Sequence, residues 1–175
     1  MKLPVVGKAH QAQAGNAFYW FIYGSSLDRS AFADWAEEHG YRLPDFTSGV
    51  TARLSDYRLC FDVESRFWGG AVASLVATPG RSVEGVALPL PGEGQGLVDH
   101  KEGAISGLYE PMTVAVIPLA GGGAKISAIA YRAATGRRLS VEQTPSRRYV
   151  ETVLRGAREW KLSPAYQASL EALLL

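Results

Sequence analysis

A carboxylate in the middle of the chain is the first candidate for chemistry. Glu102 lies in the segment Val98-Asp99-His100-Lys101-Glu102-Gly103 and is followed shortly by Tyr109. On a helix, Asp99 and Glu102 would share a face, whereas His100 would point elsewhere and is interpreted as a surface residue. A carboxylate at the end of a helix is mildly unfavourable with the helix dipole, so Glu102 opposes its local preference. Glu102 is therefore a candidate for chemistry, and a solvated acidic residue in a charged cluster is the alternative.

A glycine-serine turn is the second candidate. The segment Tyr23-Gly24-Ser25-Ser26-Leu27 directly follows the aromatic run Phe18–Tyr23. A strand that ends in glycine and hydroxyl residues can direct successive N–H groups into one concave surface, which binds carboxylates and oxyanions. An ordinary strand-to-helix turn is the alternative. Ser25 and Ser26 have no suggestively placed histidine, and the turn is not a G-x-S-x-G elbow.

The composition limits the other kinds of chemistry. The single cysteine cannot form an internal disulfide, and together with three scattered histidines it makes a poor set of metal ligands. Cys60 is interpreted as a small core residue. The 18 basic and 17 acidic residues give a net charge of +1, which is too balanced for a dedicated nucleic-acid binder. We therefore expect the chemistry to depend on carboxylates, hydroxyls and backbone amides.

The C-terminal third is rich in arginine. A solvated helix face balanced by glutamates is favoured there, and polyanion binding is the alternative. The arginines concerned are Arg137, Arg138, Arg147, Arg148, Arg155 and Arg158. The longest apolar runs have the length of a strand, far below the ~20 residues of a membrane helix, and the start lacks a long apolar signal region. We expect a soluble cytoplasmic protein with no nucleic-acid or membrane partner.

Apolar spacing and turn residues predict the elements that position these candidates. About six strands are predicted. The first is the aromatic run, and residues 50–54 and 57–63 form either two strands or one long bent strand. The others cover residues 71–77, 83–90, 109–119 and 125–133. Pro79-Gly80 is predicted as a turn and Gly121-Gly122-Gly123 as a hairpin. Helices are predicted after Asp28 or Ser30, over 97–101 and 147–160, and after Ser163-Pro164. The pattern indicates a single α+β domain over 16–175 with a barrel-like or highly curved sheet, after a tail over 1–15.

A set of motifs resembles a known family and spans about residues 20–170. They are Phe21–Leu27, Ala52-Arg53-Leu54 with Tyr57-Arg58-Leu59, Trp68–Ala73 with Pro79-Gly80 and Val83–Val86, Val98–Gly103 with Ser106–Tyr109, Pro145–Tyr149, and Leu162–Tyr166. In this order they resemble the γ-glutamylcyclotransferase-like family, also called the AIG2-like family. The family's Tyr-Gly-Ser-Asn-Leu motif has Asn where this chain has Ser26. That difference either leaves the loop fixed by a shorter side chain or alters substrate choice.

The resemblance implies a small mixed β-barrel with flanking helices and an intramolecular reaction. The α-amine of a γ-glutamyl group attacks its own γ-carbonyl, which gives 5-oxoproline and releases the attached amine or amino acid. Glu102 would be the general acid/base, and no metal or cofactor is needed. The implied substrate-binding residues are Trp20, Phe21, Ile22, Tyr23, Gly24, Ser25, Tyr109 and Tyr149. A non-catalytic or regulatory member that binds an amino-acid-like ligand in the same pocket is the alternative, and neither the leaving group nor the oligomeric state is predicted.

Overall fold

Five strands form a closed, mixed β-barrel in the computed structural model, which describes residues 16–121 and 123–175. The strands are β1 (Phe18–Ile22), β2 (Val50–Ser65), β3 (Gly70–Leu90), β4 (Tyr109–Pro118) and β5 (Ile126–Ala133). They follow the order β1-β3-β2-β4-β5 around the barrel. β1 is antiparallel to β3 and parallel to β5, and β4 and β5 form the predicted hairpin. The predicted α+β class and barrel are confirmed, whereas the predicted tail over 1–15 lies outside the described residues.

Within the described residues, four α-helices flank the barrel, and three of them begin at side-chain caps. They are α1 (Arg29–Glu38), α2 (Gln95–Lys101), α3 (Arg147–Glu159) and α4 (Pro164–Glu171). Asp28, Ser146 and Ser163 each accept a hydrogen bond from a backbone N–H in the first turn of α1, α3 and α4. Such caps satisfy N–H groups that the helix itself leaves free. No helix among the described residues is long and apolar enough to cross a membrane.

The strand count differs from the prediction because β3 runs through the predicted Pro79-Gly80 turn. Gly80 in β3 has φ +79° and Asp56 in β2 has φ 62°, so the backbone of each strand is locally distorted at this point. The Gly80 N–H donates to Asp56 Oδ1 over 2.9 Å, and the pairing register shifts between Ser55 and Tyr57. Because β2 and β3 pair on both sides of the distortion, the glycine bends the ladder instead of reversing the chain. The segments 71–77 and 83–90 therefore form one strand.

Helix α3 packs its apolar face on the barrel and on the 3₁₀ turn Ser25–Leu27. The contact is very close at Gly156, where a Cβ would lie 2.4 Å from the carbonyl carbon of Leu27. Only glycine fits this approach, since real side chains do not tolerate so short a distance. The Trp160 indole, which follows α3, donates to the Leu27 carbonyl over 3.1 Å. Helix α3 and the residue that follows it thus support the turn that the sequence analysis singled out.

Candidate active site

A cavity of about 610 Å³ lies where the Tyr23–Ser26 turn, α1, the end of α2 and the β2–β3 turn meet. It brings together residues that are far apart in the sequence. The predicted site residues that line it are Phe21, Tyr23, Gly24, Ser25, Glu102, Tyr109 and Tyr149. The structure therefore places the proposed acid/base, the glycine-serine turn and both predicted tyrosines around one space.

Two predicted substrate-binding residues do not line this cavity. Trp20 and Ile22 are almost completely buried, and the ring of Trp20 packs against Phe32 with centroids 5.9 Å apart. Side chains of an extended chain alternate between its two faces. Phe21 and Tyr23 therefore face the cavity, whereas Trp20 and Ile22 face the core and hold β1 in the barrel.

The glycine-serine turn presents free backbone donors to the cavity. Among the described residues, no hydrogen bond uses the N–H groups of Gly24, Ser25 or Ser26. The 3₁₀ turn has no side-chain cap, and the Ser26 hydroxyl, which also lines the cavity, has no hydrogen bond in the described part of the chain. Unused N–H groups at a helical N-terminus bind anions well. The turn is therefore suited to a carboxylate or an oxyanion.

An ion pair fixes the end of this turn. The carboxylate of Asp28 caps α1 and accepts a hydrogen bond from the Arg155 Nε over 2.7 Å. Asp28 is buried, and Arg155 extends from α3. Loss of such a partner would leave a buried charge uncompensated, which is strongly destabilising. This pair, together with the close contact at Gly156, anchors the turn to α3.

Three tyrosines form the inner wall of the cavity and are held by backbone atoms. The Tyr109 hydroxyl donates to the Ala73 carbonyl over 2.6 Å, the Ala73 N–H donates to the Tyr149 oxygen over 3.1 Å, and Tyr23 donates to the Tyr131 carbonyl. Burial raises the pKa of all three phenols above 10.0, so they stay protonated. Tyr149 accepts the Ala73 N–H, and no hydrogen bond within the described residues uses its own proton. That proton is available to a ligand.

Glu102 is the C-terminal cap residue of α2, and its carboxylate faces the cavity. Its N–H donates to the Val98 carbonyl over 2.9 Å, but no hydrogen bond among the described residues uses its carboxylate. Burial raises the pKa of this carboxyl from 4.5 to about 7, and the charge of Lys101 opposes part of that rise. Asp99, in contrast, accepts hydrogen bonds from Gln95 and the Tyr131 hydroxyl. Of the Asp99 and Glu102 carboxylates, that of Glu102 therefore has no hydrogen bond within the described residues and is available for proton transfer.

The outer wall contains residues that the sequence did not predict. His100 is half-buried rather than on the surface, because its ring contacts Trp35 and His39 and its Nδ1 lies 3.0 Å from the Tyr41 hydroxyl. Trp35, His39 and His100 line the cavity together with Lys101. The spacing of Phe32, Trp35 and Ala36 places Trp35 on the apolar face of α1 but does not mark it as a cavity residue. The one local signal for Lys101 was its place next to Glu102.

Most of the C-terminal arginines are engaged by carboxylates. Arg138, Arg147, Arg155 and Arg158 form ion pairs with Asp62, Glu151, Asp28 and Glu171. Carboxylates therefore balance these charges, but Asp62 and Asp28 are aspartates from the N-terminal half of the chain rather than the glutamates that the sequence predicted. Among the described residues, no group of three His, Cys, Asp or Glu side chains is arranged to hold a metal ion. Cys60 is buried, as predicted for a core residue.

Comparison with known proteins shows which family the chain resembles. The model of the AIG2-like family matches residues 82–170, which include Glu102, Tyr109 and Tyr149. The chain is 29% identical over 167 residues to gamma-glutamylcyclotransferase of Bos taurus, which covers 93% of this chain and 82% of that protein. The Mus musculus protein of the same name is 28% identical over 170 residues, with 95% and 84% covered. A solved structure of a gamma-glutamyl cyclotransferase aligns with a TM-score of 0.73 at 27% identity, covering 90% of this chain and 88% of that one. The chain belongs to the AIG2-like family.

Proposed function

We propose that the protein is a γ-glutamylcyclotransferase-type enzyme. It converts a γ-glutamyl amino acid or γ-glutamyl amine into 5-oxoproline and the free amine. The observation that carries this proposal is the free carboxylate of Glu102, with a pKa of about 7, in the cavity beside the N–H groups of the glycine-serine turn. The similarity to proteins named gamma-glutamylcyclotransferase over most of both chains supports it.

The reaction rearranges bonds within one substrate molecule. The α-amine nitrogen attacks the γ-carbonyl carbon, and the new C–N bond closes a five-membered ring. The bond from that carbon to the leaving nitrogen then breaks. One proton passes from the attacking nitrogen to Glu102 and from Glu102 to the leaving nitrogen. No water, metal or external nucleophile enters the balance, so no serine–histidine pair is needed.

The pKa of Glu102 suits both halves of this transfer. A carboxyl with its usual pKa near 4.3 would be a weak base towards an amine. A pKa of about 7 lets Glu102 accept one proton and return it near neutral pH, because acid/base catalysis is most efficient when the pKa matches the working pH. The aromatic wall contributes by keeping water away from the carboxylate, which is the cause of the raised pKa.

The polar groups of the cavity would hold the substrate and stabilise charge. We assign the N–H groups of Gly24, Ser25 and Ser26, with the Tyr149 hydroxyl, as donors to the carboxylate or the developing oxyanion of the γ-glutamyl group. Their fixed positions avoid reorganisation during the reaction, which makes such donors effective. Holding the amine in attack geometry is worth about 7–11 kcal/mol in well-oriented systems. Orientation is therefore the main contribution expected from the fold.

A product assay tests the proposal. Purified protein is incubated with a panel of γ-glutamyl amino acids and γ-glutamyl amines, and 5-oxoproline and the released amine are quantified by mass spectrometry. We expect the two products in a one-to-one ratio from at least one class of substrate. Ligand-induced thermal stabilisation with no product from any substrate would contradict the proposal and favour a non-catalytic binding protein.

A further inference from the structure

Lys101 is a half-buried cation in the cavity, and no carboxylate of the described residues forms an ion pair with it. Its ammonium nitrogen lies 5.2 Å from the ring centroid of Trp35 and 5.9 Å from that of Phe32. No ion pair within the described residues includes it. Burial lowers the pKa of this ammonium below 10.5. The lysine is thus partly desolvated, and its visible contacts are aromatic.

This arrangement differs from that of the other cations next to buried groups. Arg138 and Arg155 each form a direct ion pair, with the buried carboxylates of Asp62 and Asp28. A desolvated charge without a partner is costly, and a cation–π contact returns only about 0.5–2 kcal/mol. Lys101 therefore has an unused capacity to bind an anion.

The carboxylates of the same cavity do not use that capacity. Asp34 and Glu38 line it from α1, but both residues are exposed to solvent and neither forms an ion pair with Lys101. Glu102 is the neighbour in sequence, and its raised pKa leaves it partly protonated near neutral pH. An anionic group of a bound molecule would meet a positive charge at this wall.

We propose that Lys101 binds a carboxylate of the γ-glutamyl substrate. The proposal rests on the proposed function. A γ-glutamyl amino acid carries two carboxylates, one on the γ-glutamyl group and one on the leaving amino acid, whereas a γ-glutamyl amine carries only the first. Lys101 acts on a group that does not react, so it determines substrate selection rather than proton transfer.

Two matched substrates identify the carboxylate. γ-Glutamylalanine and γ-glutamylethylamide differ only in the carboxylate of the leaving group. A hydrogen bond to a charged group is worth about 1.5–3 kcal/mol, so we expect Lys101→Met to lower kcat/KM about 10- to 100-fold, mainly through KM. A loss for γ-glutamylalanine alone assigns the carboxylate of the leaving amino acid. An equal loss for both substrates assigns that of the γ-glutamyl group, and no loss for either overturns the proposal.

Two further variants control for charge and folding. Lys101→Arg keeps the positive charge and should retain most of the activity on both substrates. Lys125→Met removes a charge from an exposed residue between β4 and β5 and should change neither substrate's kinetics. If Lys101→Arg lost as much activity as Lys101→Met, the effect would be one of packing and the proposal would be wrong.

A binding measurement separates this proposal from the proposed function. The Glu102→Gln variant is titrated calorimetrically with γ-glutamylalanine, with and without Lys101→Met. Weaker binding in the double variant supports a role for Lys101 even if the wild type releases no 5-oxoproline. Turnover by the wild type, together with unchanged binding and kinetics on loss of Lys101, refutes the lysine's role while the proposed function stands.

Discussion

Glu102 and Glu142 have the same side chain and opposite pKa shifts. Glu102 faces the cavity without a hydrogen-bonded cation, and burial raises its pKa to about 7. Glu142 accepts hydrogen bonds from two Arg58 nitrogens, at 3.1 and 2.9 Å, and from the Phe61 N–H at 3.0 Å. The Arg58 contact lowers its pKa to about 2. The fold thus pairs Glu142 with an arginine, whereas Glu102, the proposed acid/base, has no such contact within the described residues.

The two glutamates also respond to pH in opposite directions. The folded chain holds a proton on Glu102 more tightly than the unfolded chain does, so the favourable contribution is complete below pH 4.5 and is lost as the pH rises through about 7. Glu142 contributes above pH 4.5 and loses its contribution as the pH falls towards about 2. One carboxylate therefore lowers stability at neutral pH, and the other supports it.

Substituting each glutamate by glutamine should give the largest difference. Glutamine has the same shape but cannot accept and return a proton, so Glu102→Gln should lower kcat about 10²- to 10⁴-fold. Glu142→Gln, the matched control, should stay within about twofold of the wild type because Glu142 does not line the cavity. Release of 5-oxoproline is the measurement, and circular dichroism checks folding. Full activity in Glu102→Gln would show that Glu102 is not the acid/base.

The pH dependence of kcat/KM should reflect the ionisation of Glu102 and should not depend on Glu142. Only the deprotonated carboxylate can accept a proton, so kcat/KM should fall about tenfold per pH unit below pH 7. The profile of Glu142→Gln should have the same acid limb. The substrate amine is titrated separately, so that its own ionisation can be subtracted. A profile that stays flat from pH 7 to pH 5 would contradict a raised pKa at Glu102.

Glu102→Gln should also make the protein more stable where the wild-type carboxylate is charged. Each pKa unit corresponds to about 1.4 kcal/mol, so we expect the free energy of unfolding to rise by about 1–3 kcal/mol near pH 8. Below pH 4.5 the variant and the wild type should agree closely, because both side chains are neutral there. Urea denaturation at the two pH values measures the difference. Destabilisation of the variant near pH 8 would mean that the charged carboxylate is better solvated than the cavity indicates.

Glu142→Gln should have the smallest effect and the opposite sign. The side chains of Arg58 and Glu142 are 38% and 42% exposed, so solvent screens the pair and the expected loss at pH 7 is below about 1 kcal/mol. The difference from the wild type should shrink as the pH approaches 2. Urea denaturation over this range checks it. A loss that persisted at pH 2 would arise from the side-chain amide rather than from the ion pair.

Local sequence patterns predicted most helices and strands, but they did not predict that residues 71–77 and 83–90 form one strand. The start of α4 after Ser163 and the hairpin of β4 and β5 depend on neighbouring residues, and both were found where they were predicted. For the start of α1 the sequence left Asp28 and Ser30 open, and Asp28 is the cap. The prediction of a chain-reversing turn at Pro79-Gly80 was wrong. The pairing of β2 with β3 on both sides of this point outweighed the local preference of Pro-Gly for a turn. The cytoplasmic location and the absence of a cofactor stay predictions.

The site was predicted where it follows a motif and missed where it depends on packing. Glu102 and the glycine-serine turn belong to short motifs, so their sequence alone marked them. His100 was placed on the surface because its contacts with Trp35 and Tyr41 join segments 59 or more residues apart. Glu142 and Asp28 are likewise paired with arginines that lie far away in the sequence, at separations of 84 and 127 residues. No local pattern indicates such partners.

Ala73 holds two tyrosine hydroxyls of the cavity through its main chain alone. Tyr109 donates to its carbonyl, and Tyr149 accepts its N–H. Since both contacts are with backbone atoms, most substitutions at Ala73 leave the donor and the acceptor in place, and only proline removes the N–H. The direction in which Tyr149 offers its proton therefore follows from the orientation of β3 in the barrel. On the Ala73 side, the polarity of these two contacts is therefore set by the chain path rather than by a side chain.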